Sequence, residues 1–222
     1  MDIRNKIQKI FNSLIDILFP IECLGCNQED VFLCDNCLKS IPLHQSIIPF
    51  EHPLQYLDQV LTAVDYRHRL VRKSIHYFKF RFIVELAKPL AKLLIEYVKR
   101  INLNLNDALI IPVPLNKKRL LERGFNQSEL IARYFADGFN LPLAIEAIVR
   151  CRHTPHQVGL NKKQRKNNME NAFQILNPEL IKNKNIILID DVVTTGSTLE
   201  EIAKVLKENG AKKVIGLTIA KD

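Results

Sequence analysis

Apolar residues recur along this chain in two alternating rhythms. V-L-T-A-V-D-Y, beginning near Val60, reads as a strand, and Arg69 to Phe78 and Ile83 to Val98 then carry apolar residues at helical spacing. A-L-I-I-P-V (Ala108 to Val113) is a short apolar strand. Asn126 to Asp137 reads as a helix with Gly138 as its stop signal, and L-P-L-A-I-E-A-I-V follows as a strand or a strand plus turn. Ile186 to Ile189 is a buried-type strand ending in Asp190 and Asp191. After a short loop, Thr194 to Thr198, a helix runs to about Asn209, stopped by Gly210, and the last strand spans Lys213 to Ala220. Strands alternating with helices predict an α/β fold, an open and mainly parallel sheet flanked by helices.

Before this pattern, Ile3, Ile7, Ile10, Phe11, Leu14, Ile17 and Leu18 recur at helical spacing, interrupted by Arg4, Lys6, Lys9 and Asp16. A secretory segment has an unbroken apolar run and small residues at its end, whereas this stripe ends at Pro20. The reading is a helix docked on the core, with a membrane-surface helix as the alternative. Residues 41 to about 58 look like a linker, broken by Pro42, Pro49 and Pro53. The expected organisation is 1–58, an N-terminal helix with a small cysteine-rich unit and linker, followed by 59–222 as the main domain.

The 222 residues are 47% hydrophobic and 25% charged, a balance that excludes a disordered or low-complexity chain. No apolar run approaches the roughly 18 residues of a membrane helix; the longest, Ala108 to Leu115, contains Pro112 and Pro114. No transmembrane segment and a cytoplasmic location are therefore expected.

Lys and Arg number 32 against 24 Asp and Glu, a net charge of +8. The excess is clustered: Arg67, Arg69, Arg72, Lys73, Lys79 and Arg81; Lys117, Lys118, Arg119 and Arg123; and Arg150, Arg152, Lys162, Lys163, Arg165 and Lys166. Such clusters attract polyanions, and phosphorylated small molecules and nucleic acid both qualify. A solvated face is the alternative for each cluster.

Four of the five cysteines lie in C-L-G-C-N-Q-E-D-V-F-L-C-D-N-C, as one CxxC at Cys23 and Cys26 and a second at Cys34 and Cys37. Two such turns facing each other give a closed tetrahedral sulfur site, which points to structural zinc. A disulfide pair, redox use and iron are the alternatives. With all four positions filled by protein, no catalytic water is expected at this metal.

The stretch I-I-L-I-D-D-V-V-T-T-G-S-T is the most informative. Hydroxyls and a glycine at a helix N-terminus present donors to an anion, and the helix dipole adds to the attraction. Neither GxxxxGK[ST] nor GxGxxG occurs, which argues against a nucleotide triphosphatase and a dinucleotide enzyme. Two carboxylates lie just upstream, suited to sugar hydroxyls or to a hydrated Mg²⁺. The spacing describes a sugar phosphate, set against the alternative of a turn rich in capping residues with its acids in solvent.

This stretch resembles the phosphoribosyl pyrophosphate signature of type I phosphoribosyltransferases. The resemblance implies that Asp190 and Asp191 bind the ribose hydroxyls, that Thr194, Thr195, Gly196, Ser197 and Thr198 hold the 5-phosphate, and that Mg²⁺ arrives on the ligand. Taken with the tetracysteine unit, F-K-F, I-P-V-P-L-N-K-K-R-L-L-E-R-G-F-N-Q and R-H-T-P-H-Q-V-G-L-N-K-K-Q-R-K-N-N-M-E-N-A-F, the chain resembles the ComF family of competence proteins. That resemblance implies a type I phosphoribosyltransferase-like domain behind a small zinc-binding module.

Lys117, Lys118 and Arg119 follow the strand where related transferases have their pyrophosphate loop; cations there stabilise a departing pyrophosphate. The alternative is a solvated helix start. Arg123 either touches ligand or braces the sheet, beside a tight turn at Gly124. Residues 150 to 168 read as a basic polar loop of the kind that closes over the donor in the superfamily, with Arg152, His153, Thr154 and Gln157 as candidate contacts. Arg152 and His153 are the catalytic candidates, although a histidine in a basic loop is more often merely exposed. Cys151 reads as a buried structural thiol.

Two functions follow from the resemblance. One is a protein that binds phosphoribosyl pyrophosphate and handles single-stranded DNA with the competence machinery at the inner membrane face. The other is an active phosphoribosyltransferase with an unidentified nucleobase or amine acceptor and no role in DNA uptake. The last predicted strand reaches Ala220, so no C-terminal hood is expected. The basic–aromatic interleave of Tyr66, Tyr77, Phe78, Phe80 and Phe82 suits either base stacking or a packed helix face.

Overall fold

The computed structural model describes residues 20–151 and 172–222. Its strands are β1 (Gln59–Asp65), β2 (Ala108–Pro112), β3 (Ile148–Arg150), β4 (Phe173–Ile175), β5 (Asn185–Val193) and β6 (Lys213–Lys221). The α-helices are α1 (Asp35–Lys39), α2 (Arg69–Phe80), α3 (Ala87–Arg100), α4 (Lys117–Arg123), α5 (Gln127–Phe139) and α6 (Ser197–Glu208). β1, β6, β5 and β2 lie side by side in that order, every pair parallel, while β3 and β4 form a separate antiparallel ribbon.

Parallel strands are covered on both faces and read as continuous apolar runs, as I-I-L-I and A-L-I-I do. Successive side chains leave a strand on opposite faces. Leu61, Ile110, Ile187 and Ile215 accordingly join a core with α2, α3 and α5, whereas Val60, Ile111, Leu188 and Val214 join a core with α6 and the β3–β4 ribbon. Burying one such large side chain, fully enclosed Phe78 for example, contributes roughly 1.5–3 kcal/mol.

Three local expectations are corrected. The helix after Asn126 does not stop at Gly138: it runs to Phe139, and Asn140 supplies the left-handed cap with φ 52°. Gly138 is instead a close-packing position, where a Cβ would lie 2.6 Å from Ile95 Cδ1 on α3. The run L-P-L-A-I-E-A-I-V gives only β3 at its end, apart from a single bridge between Ile110 and Leu143. β5 continues through Asp190 and Asp191 to Val193, because the β6 ladder pairs Asp190 with Thr218 and Val192 with Ala220. The acids are therefore inside the strand and not at its end. The stripe from Ile3 to Leu18 lies outside the described residues.

The cysteine-rich unit packs on the main domain. Cys23, Leu33, Cys34 and Leu38 share one hydrophobic cluster with α2 and α3. Lys73 of α2 donates to the Leu24 carbonyl at 3.0 Å, and Lys92 of α3 pairs with Asp35 at 2.8 Å.

Residues 50–57 lie over the start of α6. The Glu200 carboxylate accepts the backbone N–H groups of Gln55, Tyr56 and Leu57 at 3.0, 3.0 and 3.3 Å. Glu51 pairs with Lys221 at 2.8 Å, and the same ammonium sits over the Phe50 ring at 5.6 Å. Phe50 itself abuts Gly196, where a Cβ would come within 2.9 Å of the ring. Glu200→Ala removes the acceptor of three N–H groups and is expected to lower the unfolding free energy by about 1–3 kcal/mol in urea denaturation. Unchanged stability would mean that Glu200 does not hold this strap.

Candidate functional site

β5 carries the site. Asp190 and Asp191, as neighbours in a strand, reach different helices. The Asp190 carboxyl accepts the Ser128 hydroxyl at 2.7 Å, from the first turn of α5, and the Asp191 N–H at 2.9 Å. Asp191, only 5% exposed, turns to α2 and pairs with Lys79 Nζ at 2.8 Å. Its other oxygen accepts the Val192 N–H at 2.7 Å. Enclosure of the Asp190 carboxyl, and next the charge of Asp191, push it up to about 7, against the pull of the Ser128 hydrogen bond and of Lys79.

Beyond β5 the chain turns into α6 at Gly196, which has φ 73° and supplies no side chain to cap the helix. The first N–H groups of a helix need a partner from elsewhere, and a glycine here leaves them open to a ligand. Thr195 and Ser197 hold each other through a 2.8 Å hydroxyl contact. Asp190, Thr194, Thr195, Gly196, Ser197 and Thr198 line one small cleft of about 60 Å³. Asp191 is not among its walls.

The segment after β2 forms α4. Asn116 caps it by accepting the Arg119 N–H at 2.8 Å, so Lys117, Lys118 and Arg119 make up its first turn. Lys117 and Lys118 are exposed, Lys118 lying 4.0 Å from Glu122, whereas Arg119 is half-buried. Burial lowers the pKa of Arg123, and the charge of Arg119 lowers it further. The same two causes, in the same order, act on Arg150. Arg123 and Arg150 thus each feel the charge of Arg119, Arg123 also sensing Asp191 and Arg150 sensing Asp190. Arg123 donates to Gln127 Oε1 at 2.7 Å and lies over the Phe80 ring at 5.4 Å, and Gly124 makes the tight turn with φ 76°.

The four cysteine sulfurs lie within 4.8 Å of one another, and all four thiols are free of disulfides. Tetrahedral bonds of about 2.3 Å require sulfurs roughly 3.8 Å apart. Cys26 and Cys34 are already at 3.6 Å. The Cys34 N–H donates to Cys23 Sγ at 3.4 Å, and Gly25 leaves room that a Cβ, 2.7 Å from Cys37 Sγ, would fill. This donor set fits a thiophilic metal ion.

Sequence reasoning missed Lys79 and Ser128 as partners of the acids, and Phe50 as the ring packed against Gly196. The signals for Lys79 are its basic cluster and its place in F-K-F: Phe78 faces the core, Lys79 the acids, and Phe80 solvent. Cys151 is exposed, its thiol 3.4 Å from Gln174 Oε1, which corrects the buried reading; short β3 ends before it. Arg152, His153, Thr154 and Gln157 lie outside the described residues.

The raised pKa of Asp190 has a definite sign. Folding retains a proton that the unfolded chain gives up near pH 3.9, so this stability is full below that value and is lost as pH rises through about 7. Asp190→Asn should match the wild-type melting temperature near pH 4 and exceed it at pH 8 in scanning calorimetry. A difference that does not vary with pH would assign the proton elsewhere.

A family model described as the phosphoribosyl transferase domain matches residues 121–222. DNA utilization protein YhgH of Shigella flexneri is 36% identical over 199 residues, covering 86% of this chain and 85% of that protein. Competence protein F of Haemophilus influenzae is 33% identical over 204 residues, covering 88% and 82%. Competence protein ComFC of Bacillus subtilis is 36% identical over 109 residues, covering 46% and 39%. With a parallel sheet flanked by helices, a tetracysteine cluster and relatives matched over most of their length, the chain belongs to the ComF family.

Proposed function

We propose that this protein binds phosphoribosyl pyrophosphate with Mg²⁺ at the turn from β5 into α6 and serves the uptake or use of DNA. The observation that carries the reading is one cleft walled by Asp190 and by Thr194 to Thr198, opening on a helix that starts at an uncapped glycine. In this reading Asp190 and Asp191 take the ribose hydroxyls and Thr194 to Thr198 the 5-phosphate. Arg119 receives the pyrophosphate, with Lys117 and Lys118 providing long-range attraction. The cation carried by the ligand offsets pyrophosphate charge beside the acids. The tetracysteine cluster holds structural zinc, and its closed sulfur set leaves the metal no part in chemistry.

The DNA role comes from the relatives named for competence and DNA utilization. It is supported by a basic–aromatic surface: Phe80 and Phe82 are 56% and 50% exposed, flanking Arg81, with Arg123 over Phe80. Phe78, by contrast, belongs to the core. Exposed rings beside cations are the arrangement that stacks bases while the charges meet phosphates. Among the described residues no helix is long and apolar enough to cross a membrane. The second reading, a transferase with a nucleobase or amine acceptor and no DNA role, uses the same sugar-phosphate site.

Calorimetric titration with phosphoribosyl pyrophosphate and Mg²⁺ tests the site: wild type should bind, and Asp190→Ala/Asp191→Ala should lose binding. A folded wild type that does not bind removes the sugar-phosphate reading. Single-stranded oligonucleotide affinity should fall steeply with salt and weaken several-fold in Phe80→Ala/Phe82→Ala, by about 1 kcal/mol or more per lost stacking contact. Equal affinity in that variant would favour the transferase without a DNA role.

A further inference from the structure

F-K-F on α2 has one member that the reading above leaves without a task. Lys79 meets Asp191 at 2.8 Å, and its side chain is 22% exposed against 6% for that of Asp191. The ammonium therefore approaches from the solvent side of a nearly enclosed carboxylate. Arg123 and Arg150 feel the charges of Asp191 and Asp190, but the ammonium of Lys79 is the cation in direct contact with Asp191. Two adjacent carboxyl groups, Asp191 nearly enclosed and Asp190 half-buried, repel and must be offset by positive charge or a proton. The nearest such charge is that of a flexible lysine, a point charge on a long stem that can withdraw without disturbing the helix that carries it.

We propose that Lys79 is the resident counter-ion of the acid pair, holding on Asp191 the place that a ligand's cation and hydroxyl groups take over, so that ligand binding and the Lys79–Asp191 pair exclude each other. Lys79 is thus a positioning residue: it keeps Asp191 in place until a ligand's cation and hydroxyl groups displace it. α2 is fixed at its other end, where Lys73 holds the Leu24 carbonyl and Leu70 lies against Gly25, so the exchange is confined to the side chain. The inference rests on the sugar-phosphate reading of the acids, and its test does not need the sugar phosphate to bind.

Mn²⁺ alone is titrated into the full-length protein and followed by water-proton relaxation. Wild type and Lys79→Arg should bind weakly, Lys79→Met should bind about tenfold tighter or better because the competing charge is gone, and Lys79→Met/Asp191→Asn should return to the wild-type level. No gain in Lys79→Met overturns the proposal. Should Lys79→Met fail to fold, wild-type protein decides it. Acetylation of Lys79, read by peptide mass spectrometry against Lys73 and Lys88, should accelerate several-fold at high Mn²⁺, and an unchanged rate overturns the proposal. If Lys79→Met gains the Mn²⁺ site while wild type ignores phosphoribosyl pyrophosphate, the sugar-phosphate reading falls and the counter-ion stands. The reverse result removes the counter-ion and keeps the reading.

Discussion

Two adjacent carboxyl groups lie inside a parallel strand, and their mutual repulsion in a low-dielectric setting organises what surrounds them. Asp190 and Asp191 interrupt an apolar run whose ladder with β6 continues past them. The free energy of enclosing them is offset from two directions, by the Ser128 hydroxyl at the start of α5 and by the Lys79 ammonium at the end of α2. The positions of both helix ends are thereby tied to β5. A proton retained on Asp190 completes the balance, so the pair is also the part of the fold most sensitive to pH near neutrality.

α2 links this pair to the cysteine-rich unit. Its first half meets the Cys23–Cys26 turn through Lys73 and Leu70, its middle buries Ile75 and Phe78, and its last turn delivers Lys79. A tetracysteine cluster too small to own a core borrows one from α2 and α3, consistent with the rule that very small units need a partner or a metal. The geometry of the acids and the order of the cysteine unit therefore rest on the same twelve-residue helix.

The opposite side of the cleft is built differently. α6 begins on a glycine without a side-chain cap, yet a negatively charged residue, Glu200, stands in its first turn. A free carboxylate there would compete with an incoming phosphate for the positive end of the helix. It is instead saturated by three backbone N–H groups of the strap, which also brings Phe50 against Gly196. One acidic residue thus anchors the strap that packs on Gly196, while its charge is satisfied by the same strap.

The local pattern of residues was enough for the α/β class, for the helices and strands around the signature, and for a tetracysteine unit. Each depends on periodicity or on spacing within a few residues, which the backbone reads directly. Resemblance of the longer motifs was enough for the ComF family. Tertiary structure alone decided that Lys79 and Ser128 are the partners of the acids, since they are separated from them by 112 and 62 positions (191 − 79 and 190 − 128). It also decided that Arg119 is half-buried, within electrostatic reach of Arg123 and Arg150, while Lys117 and Lys118 face solvent, because side chains one position apart on a helix point in different directions. Gly138 shows the same limit: as a letter it signals a stop, and only the approach of Ile95 reveals a contact. Chemistry carried by neighbours in sequence was legible, whereas charge compensation across the sheet required the fold, because a buried charge is matched by whatever packing brings within a few ångströms.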